Sequence, residues 1–225
     1  MQEEDKQFEE ILNQVDLFLE DDELKHDETL KHNLKSSFFA LHATDQAEII
    51  SKIKSKKRPQ FIDFISNDID AEVLLHLDKA ILLDFVDIIG VEMFGKMLSV
   101  LSINMIVDVL GDFPKDFRKE VLEFIQYKKR LKVKRLFAYP EASVGRYMSF
   151  DYLSVSSTFI VKDVIEYLRK NTKSEVRDIR NTEIFVLNQE NRVIGSISIL
   201  DILKLQHQDI ITNAIRPYPH VLNTY

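Results

Sequence analysis

The chain has 225 residues, 45% of them apolar, with 15 Phe, no Cys and a formal net charge of −7. That composition describes a globular protein with one sizeable core or two modest ones rather than a disordered segment. It excludes disulfide frameworks and thiolate metal centres, fits a reducing compartment, argues against general nucleic-acid binding, which needs clustered Lys and Arg, and favours cations as ligands.

The first residues, Met1 to Glu10, are acidic and lack the apolar stretch of a secretory signal. No apolar run reaches the roughly 20 residues of a membrane-spanning helix. The best stretch, Ala80 to Val91, is interrupted by Asp84 and Asp87. The chain therefore reads as neither exported nor spanning.

From Glu3 to about Gln126 the apolar residues recur at helical spacing: Phe8, Ile11, Leu12, Val15 and Leu19, then Phe61, Phe64 and Ile65, then Leu82, Phe85, Val86 and Ile89. The predicted helices are short, and short helices are marginal alone in water, so they must be stabilised by stacking on one another. A weak internal similarity supports an array. Asp45 to Ser51 resembles Asp70 to His76, about 25 residues further on, with an echo from Asn104 to Gly111. Each opens on Asp or Asn, residues suited to cap a helix, and Ala47 and Ala71 suit close helix approach. Any short amphipathic helix would show some of this. Pro114 then predicts a turn before a helix from Lys115 to Ile125, with Asp116 in its first turn.

Tyr127 to Ala138 is the one strongly basic run, with Lys128, Lys129, Arg130, Lys132, Lys134 and Arg135 around Leu131, Val133 and Leu136. It reads as a solvated face of a connecting helix, or as a contact for anionic lipid or an acidic partner. Pro140 and Gly145 interrupt the helical pattern and place a domain boundary there. Beyond it the period changes. Tyr152 to Ser156 alternates like a strand, Val161 to Lys170 reads as an amphipathic helix, and 173–181 as a polar loop. Ile184 to Leu187 and Val193 to Ser198 then flank a hairpin turn at Asn188 to Asn191. Leu200 and Asp201 begin a short helix that the prolines of 217–219 end.

The core of this second part, Glu183 to Lys204, resembles one repeat of a CBS regulatory domain. Taken with Leu41 to Glu48, Asp70 to Asp78, Leu101 to Leu110 and the junction Tyr139 to Tyr152, the order and spacing resemble the cytosolic part of the MgtE family of magnesium transporters. The fold class implied is α+β: an all-α superhelical array of short helices followed by an α/β CBS repeat. The expected organisation is a helical N domain over 1–138, a junction over 139–147, a first CBS repeat over 148–216 and the opening of a second repeat over 217–225. The chain is then either a piece of a transporter or a stand-alone soluble relative.

The resemblance implies a homodimeric, magnesium-sensing gate on the cytoplasmic face of the cell membrane. It would close a pore, absent from this chain, when intracellular magnesium is high. By resemblance the ion-binding residues fall on Glu72 and Asp108. The position that pairs with Asp108 is Asn104 here, one negative charge fewer. The family's Gly-Gly at the junction is Gly145-Arg146, which puts a cation where an ion is expected. Glu72 and Asp108 equally read as ordinary exposed helix carboxylates.

The spacing of Gly195, Ser198 and Asp201 fits an adenine-nucleotide site, with glycine for close approach, hydroxyl for phosphate and acid for ribose. ATP is thus a second candidate ligand, although Asp201 equally suits the first turn of a helix. Thr182 and Glu183 stand where relatives carry aromatics. The alternative function is a stand-alone CBS adaptor or adenine-nucleotide sensor. No catalytic pattern accompanies these motifs. His26, His32, His42, His76, His207 and His220 lack paired spacing, and the chain has no nucleophile elbow and no phosphate loop, so an enzyme is not expected.

Overall fold

The computed structural model describes residues 2–21, 26–150, 152–171 and 183–217. The chain divides into two compact units, Met1–Ala138 and Tyr139–Tyr225. The predicted loop over 173–181, Thr182, His220 and residues 218–225 of the expected second repeat lie outside the described residues.

The first unit holds α1 (Gln2–Glu20), α2 (Glu28–Phe39), α3 (Ala43–Lys52), α4 (Arg58–Ile65), a 3-10 turn over Ala71–His76, α5 (Lys79–Leu98), α6 (Ile103–Leu110), α7 (Lys115–Leu122) and α8 (Tyr127–Ala138). After α2 the principal contacts join each element to the next but one. The 3-10 turn packs on α3 and on α6, and α6 packs on α8, while α5 packs on α4 and on α7. Two rows result, α3, 3-10 turn, α6, α8 and α4, α5, α7. Helices of about ten residues have no independent stability, so this lateral stacking is what holds them helical.

Aromatic side chains supply much of the core. Phe61 is fully buried and meets Phe38 edge-on with ring centroids 5.3 Å apart, and Phe18 meets Phe64 at 4.5 Å. Such pairs add to the stabilisation from burying apolar area. Arg58 links the rows: its guanidinium donates to the Ile50 and Ile53 carbonyls at the end of α3 and pairs with Asp84 of α5 at 3.0 Å. Lys129 of α8 likewise donates to the carbonyls of Ser99 and Leu101 past the end of α5, at 2.7 and 2.8 Å. Part of the basic run therefore serves packing rather than a partner.

Local signals decide where the helices start. Asp27 accepts from Thr29 and Leu30, Asp78 from Ile81, and Ser102 from Met105. Of the three Asp or Asn residues expected to cap the repeated segments, only Asp70 does so, accepting from the Glu72 amide at 2.8 Å. Asp45 lies inside α3, which starts after His42, and Asn104 lies inside α6, because Ser102 offers its hydroxyl two residues earlier. The Asp70 segment also winds as a 3-10 turn rather than an α-helix. Ala47 and Ala71, both buried, sit on two elements that pack together. α5 is broken at Gly90, with φ 77° and ψ 157°, a conformation essentially reserved for glycine. No described helix is long and apolar enough to cross a membrane.

The second unit opens on a 3-10 turn over Val144–Tyr147, followed by β1 (Leu153–Ser156), α9 (Val161–Asn171), β2 (Glu183–Leu187), β3 (Val193–Ser198) and α10 (Ile199–Ile202). The sheet order is β1-β2-β3, with β1 and β2 parallel and β2 and β3 antiparallel. The two parallel strands need a crossover, which α9 provides. Leu153, Val155, Val161, Val164, Ile184, Val186, Ile197, Ile202 and Ile211 form the core. At the hairpin, Asn188 accepts from the amides of Glu190 and Arg192, and Asn191 takes a positive φ of 59°. Asn tolerates that backbone region better than most residues.

The expected helix from Leu200 is a single turn. It stops at Ile202, and a separate 3-10 turn, Ile211–Ala214, leads to Arg216, which bridges antiparallel to Ser196 of β3.

Candidate functional site

The two candidate metal residues lie in the first unit on neighbouring members of one row. Glu72 is the second residue of the 3-10 turn and Asp108 lies in the last turn of α6, and those two elements pack together. Both side chains are exposed. The Glu72 carboxylate has no hydrogen-bond or ion-pair partner among the described residues. Asn104 lies one turn before Asp108 and is half-buried.

This donor set has a definite chemistry. Among the described residues no group of three or more His, Cys, Asp or Glu is gathered to hold a metal. Those residues therefore build no full protein cage of the kind calcium takes. Magnesium keeps several waters and is held by one or two carboxylates, so exposed single carboxylates on adjoining elements fit it. Arg146, by contrast, is 8% exposed, one of the few buried polar residues described. A buried guanidinium at the junction supplies a fixed positive charge where the resemblance expects an ion.

The candidate nucleotide residues lie together around the start of α10. Ser198 caps that helix, its hydroxyl accepting from the Asp201 amide at 3.1 Å. Asp201 accepts from Lys204 at 2.8 Å and from Arg216 at 2.7 Å through different carboxylate oxygens. The Lys204 hydrogen bond, aided by the Ser198 hydroxyl and the charge of Arg216, holds the Asp201 carboxyl below the usual carboxylate range. Gly195 is pressed against the returning chain. A Cβ there would lie 2.5 Å from the Arg216 carbonyl oxygen, too close for any side chain without backbone movement. The close approach that this glycine permits is thus made by the protein's own backbone, and Ser196 and Arg216 exchange two main-chain hydrogen bonds beside it, at 2.8 and 3.0 Å.

Sequence reasoning missed a cavity of about 270 Å3 in the same unit, lined by Ser154, Ser156, Phe159, Tyr167, Asn188 and Asn191 among others. Its residues come from β1, α9 and the hairpin turn, segments too far apart in sequence to form a motif. Asp201 does not line it.

The family model described as the MgtE intracellular N domain matches residues 41–142. No curated protein matches the sequence. The fold is similar to a crystal structure of the soluble part of a magnesium transporter, with a TM-score of 0.67 at 19% identity over 93% of this chain and 79% of the other. It is similar also to the cytosolic domain of the Mg2+ channel MgtE in complex with ATP, with a TM-score of 0.68 at 18% identity over 89% of this chain and 79% of that one. At those identities the likeness establishes the architecture, an MgtE-type helical N domain followed by a small α/β unit. Glu72 and Asp108 fall inside the matched MgtE N domain, while Arg146 and the Gly195 to Asp201 segment lie beyond it.

Two outcomes follow from the contacts of the second unit. Gly195→Ala must push the Arg216 segment off β3, lowering the stability of this unit by about 1–3 kcal/mol, with lost hydrogen-exchange protection at the Ser196 and Arg216 amides as its local signature. Asp201→Asn removes a carboxylate that is favoured in its ionised form by the fold. The wild type should exceed the variant in thermal stability at neutral pH, and the difference should shrink as pH falls through the lowered Asp201 value, where the wild-type carboxyl protonates.

Proposed function

We propose that this chain is the cytosolic, magnesium-sensing gating region of a magnesium transporter or channel. Its pore domain would lie outside this sequence, at the cytoplasmic face of the cell membrane. The observation that carries this reading is the match of residues 41–142 to the MgtE intracellular N domain. Supporting it are the likeness in fold to the soluble part of a magnesium transporter and the surplus of carboxylates on the chain, net charge −7.

In this reading Glu72 and Asp108 are the sensing carboxylates. Exposed acids repel one another and any acidic surface brought near them, and a divalent cation removes that repulsion. Ion binding and a compact, closed arrangement thereby become one linked equilibrium. Moving such a gate from almost wholly open to almost wholly closed takes about 5.5 kcal/mol of preference for the closed state, which several weak sites supply together. Asn104 in place of a carboxylate weakens the Asp108 site, and Arg146 replaces a junction ion with a resident charge. The sensor is therefore tuned to fewer bound ions. Homodimerisation belongs to the same reading: Leu200 and Leu203 are 65% and 69% exposed beside the CBS-like core, an apolar face suited to a second repeat or a second copy.

An adenine nucleotide is the second ligand this reading includes, supported by the ATP-bound MgtE neighbour. To use Asp201, the nucleotide competes with Arg216 and Lys204 for the same carboxylate. We expect ATP affinity to be modest and to rise in Arg216→Ala; calorimetry with ATP and AMP measures it, and tight ATP binding with no magnesium effect on the protein would favour a stand-alone nucleotide sensor.

The main test is magnesium titration of thermal unfolding and protease resistance, on the chain alone and extended through a second repeat, with sodium controlling for ionic strength. An ion at ten times its dissociation constant stabilises by about 1.4 kcal/mol, which raises the melting temperature by roughly 3–6 °C at this size. Glu72→Gln and Asp108→Asn should each shrink the shift and together abolish it. A shift of full size in the double variant removes both residues from the sensor, and no shift in any form defeats the proposal.

A further inference from the structure

The net charge of the chain is negative, yet α7 and α8 border an open cavity with the opposite character, Lys115 and Lys119 being exposed and Arg118 half-buried. It measures about 240 Å3 and is lined by Lys115, Arg118, Lys119, Leu122, Lys134, Phe137 and Ala138. Its charged side chains are all cationic, and its remaining lining is apolar. Lys115, Arg118 and Lys119 stand three and four residues apart on α7, a spacing at which like charges repel across one helix face.

A cluster of this kind is usually neutralised by carboxylates, and here it is not. Lys115, Arg118 and Lys119 make no ion pair with any described residue, and Lys134 has only a long 3.8 Å contact with Glu123, whose carboxylate is shared with Arg130. Asp116 and Glu120 share α7 but do not line the cavity. The Arg118 guanidinium lies over the Phe137 ring, 4.4 Å from its centroid. That cation–π contact helps to hold it in place, and its N–H groups make no hydrogen bond to any described residue. A planar, pre-oriented guanidinium with free N–H donors is the group best suited to grip a phosphate through paired hydrogen bonds. Flanking ammonium groups add charge, and Leu122 with Phe137 offers an apolar wall.

We infer that this cavity between α7 and α8 is a binding site for an organic phosphate, a phosphate monoester or diester carrying an apolar or aromatic body. The phosphate sits against Arg118 and Lys119, and its body lies on Leu122 and Phe137. Ligand charge relieves the repulsion along α7, so binding also stabilises the C-terminal part of the helical unit. The site belongs to the helical unit alone. It is therefore separate from the Gly195 to Asp201 segment and independent of the magnesium reading. Two sources offer this chemistry, a freely diffusing phosphate ester and the headgroup of an anionic phospholipid.

The test uses the full chain with phenyl phosphate as the soluble probe and inorganic phosphate as the comparison, followed by amide NMR shifts. Phenyl phosphate should perturb Lys115 to Leu122 and Lys134 to Ala138, bind more tightly than inorganic phosphate, and weaken as salt rises. Arg118→Gln and Lys119→Gln should each raise the Kd roughly tenfold, while Arg118→Lys, which keeps the charge, loses less; circular dichroism checks that each variant is folded. Sedimentation with phosphatidylserine and phosphatidylcholine vesicles separates the sources. Binding to the former alone, competed by phenyl phosphate, assigns the site to lipid headgroups, and probe binding without vesicle binding assigns it to a free ester. The inference is overturned if neither probe nor anionic vesicles bind, if the probe perturbs only the second unit, or if both neutral variants bind as the wild type does.

Discussion

No helix between α3 and α8, apart from the broken α5, has more than 12 residues, and that single constraint organises the first unit. A helix this short has too few internal hydrogen bonds to offset the cost of starting it. Each must lend and receive an apolar face from the element two places along the chain, so two rows form instead of a bundle around one axis. Arg58 and Lys129 fasten the arrangement by gripping main-chain carbonyls where helices end, groups that would otherwise be left without partners. The stacking also determines which exposed residues become neighbours. Glu72 and Asp108, 36 positions apart in the chain, are carried by adjoining members of one row because the turn bearing one packs on the helix bearing the other.

Much of this was legible in the residues. The apolar period of 3.6 located the helices, the switch to alternation after Gly145 located the sheet, and Asn188 with Asn191 located the hairpin. Short-range competition was less legible. Asp45 and Asn104 are good caps by type, but Ser102 outcompetes Asn104, and α3 begins without any side-chain cap. The Asp70 segment winds tightly into a 3-10 turn, a distinction that its apolar pattern does not encode. The Gly90 break was hidden because the apolar pattern continues through it.

The second unit separates motif from use. Gly195, Ser198 and Asp201 have the spacing of a ligand site, and each has a conformational task in the folded chain: close packing for the glycine, capping for the serine, a double ion pair for the aspartate. Sequence cannot distinguish these uses, because Arg216, which engages two of the three, lies beyond the motif. The 270 Å3 cavity beside β1 was illegible for the converse reason, since its lining comes from three separate segments. The basic run of α8 reads as a solvated face or a contact for anionic lipid or an acidic partner, and the α7 cations carry no signal of their own; that three of these border a common hollow without carboxylate partners among the described residues emerges only once α7 and α8 are placed.

The backbone at Gly90 has a wider consequence. Before it, α5 is tied to α4 through Asp84 and Arg58; after it, Gly95 lies so close to the end of α7 that an added Cβ would sit 2.8 Å from the Phe124 Cβ. One helix thus serves two neighbours that an unbroken rod could not satisfy together, and the glycine works as an elbow joint between a forearm and an upper arm. The break in α5 is concentrated at one residue whose backbone only glycine adopts without strain, so any side chain there loads the joint on which both attachments depend.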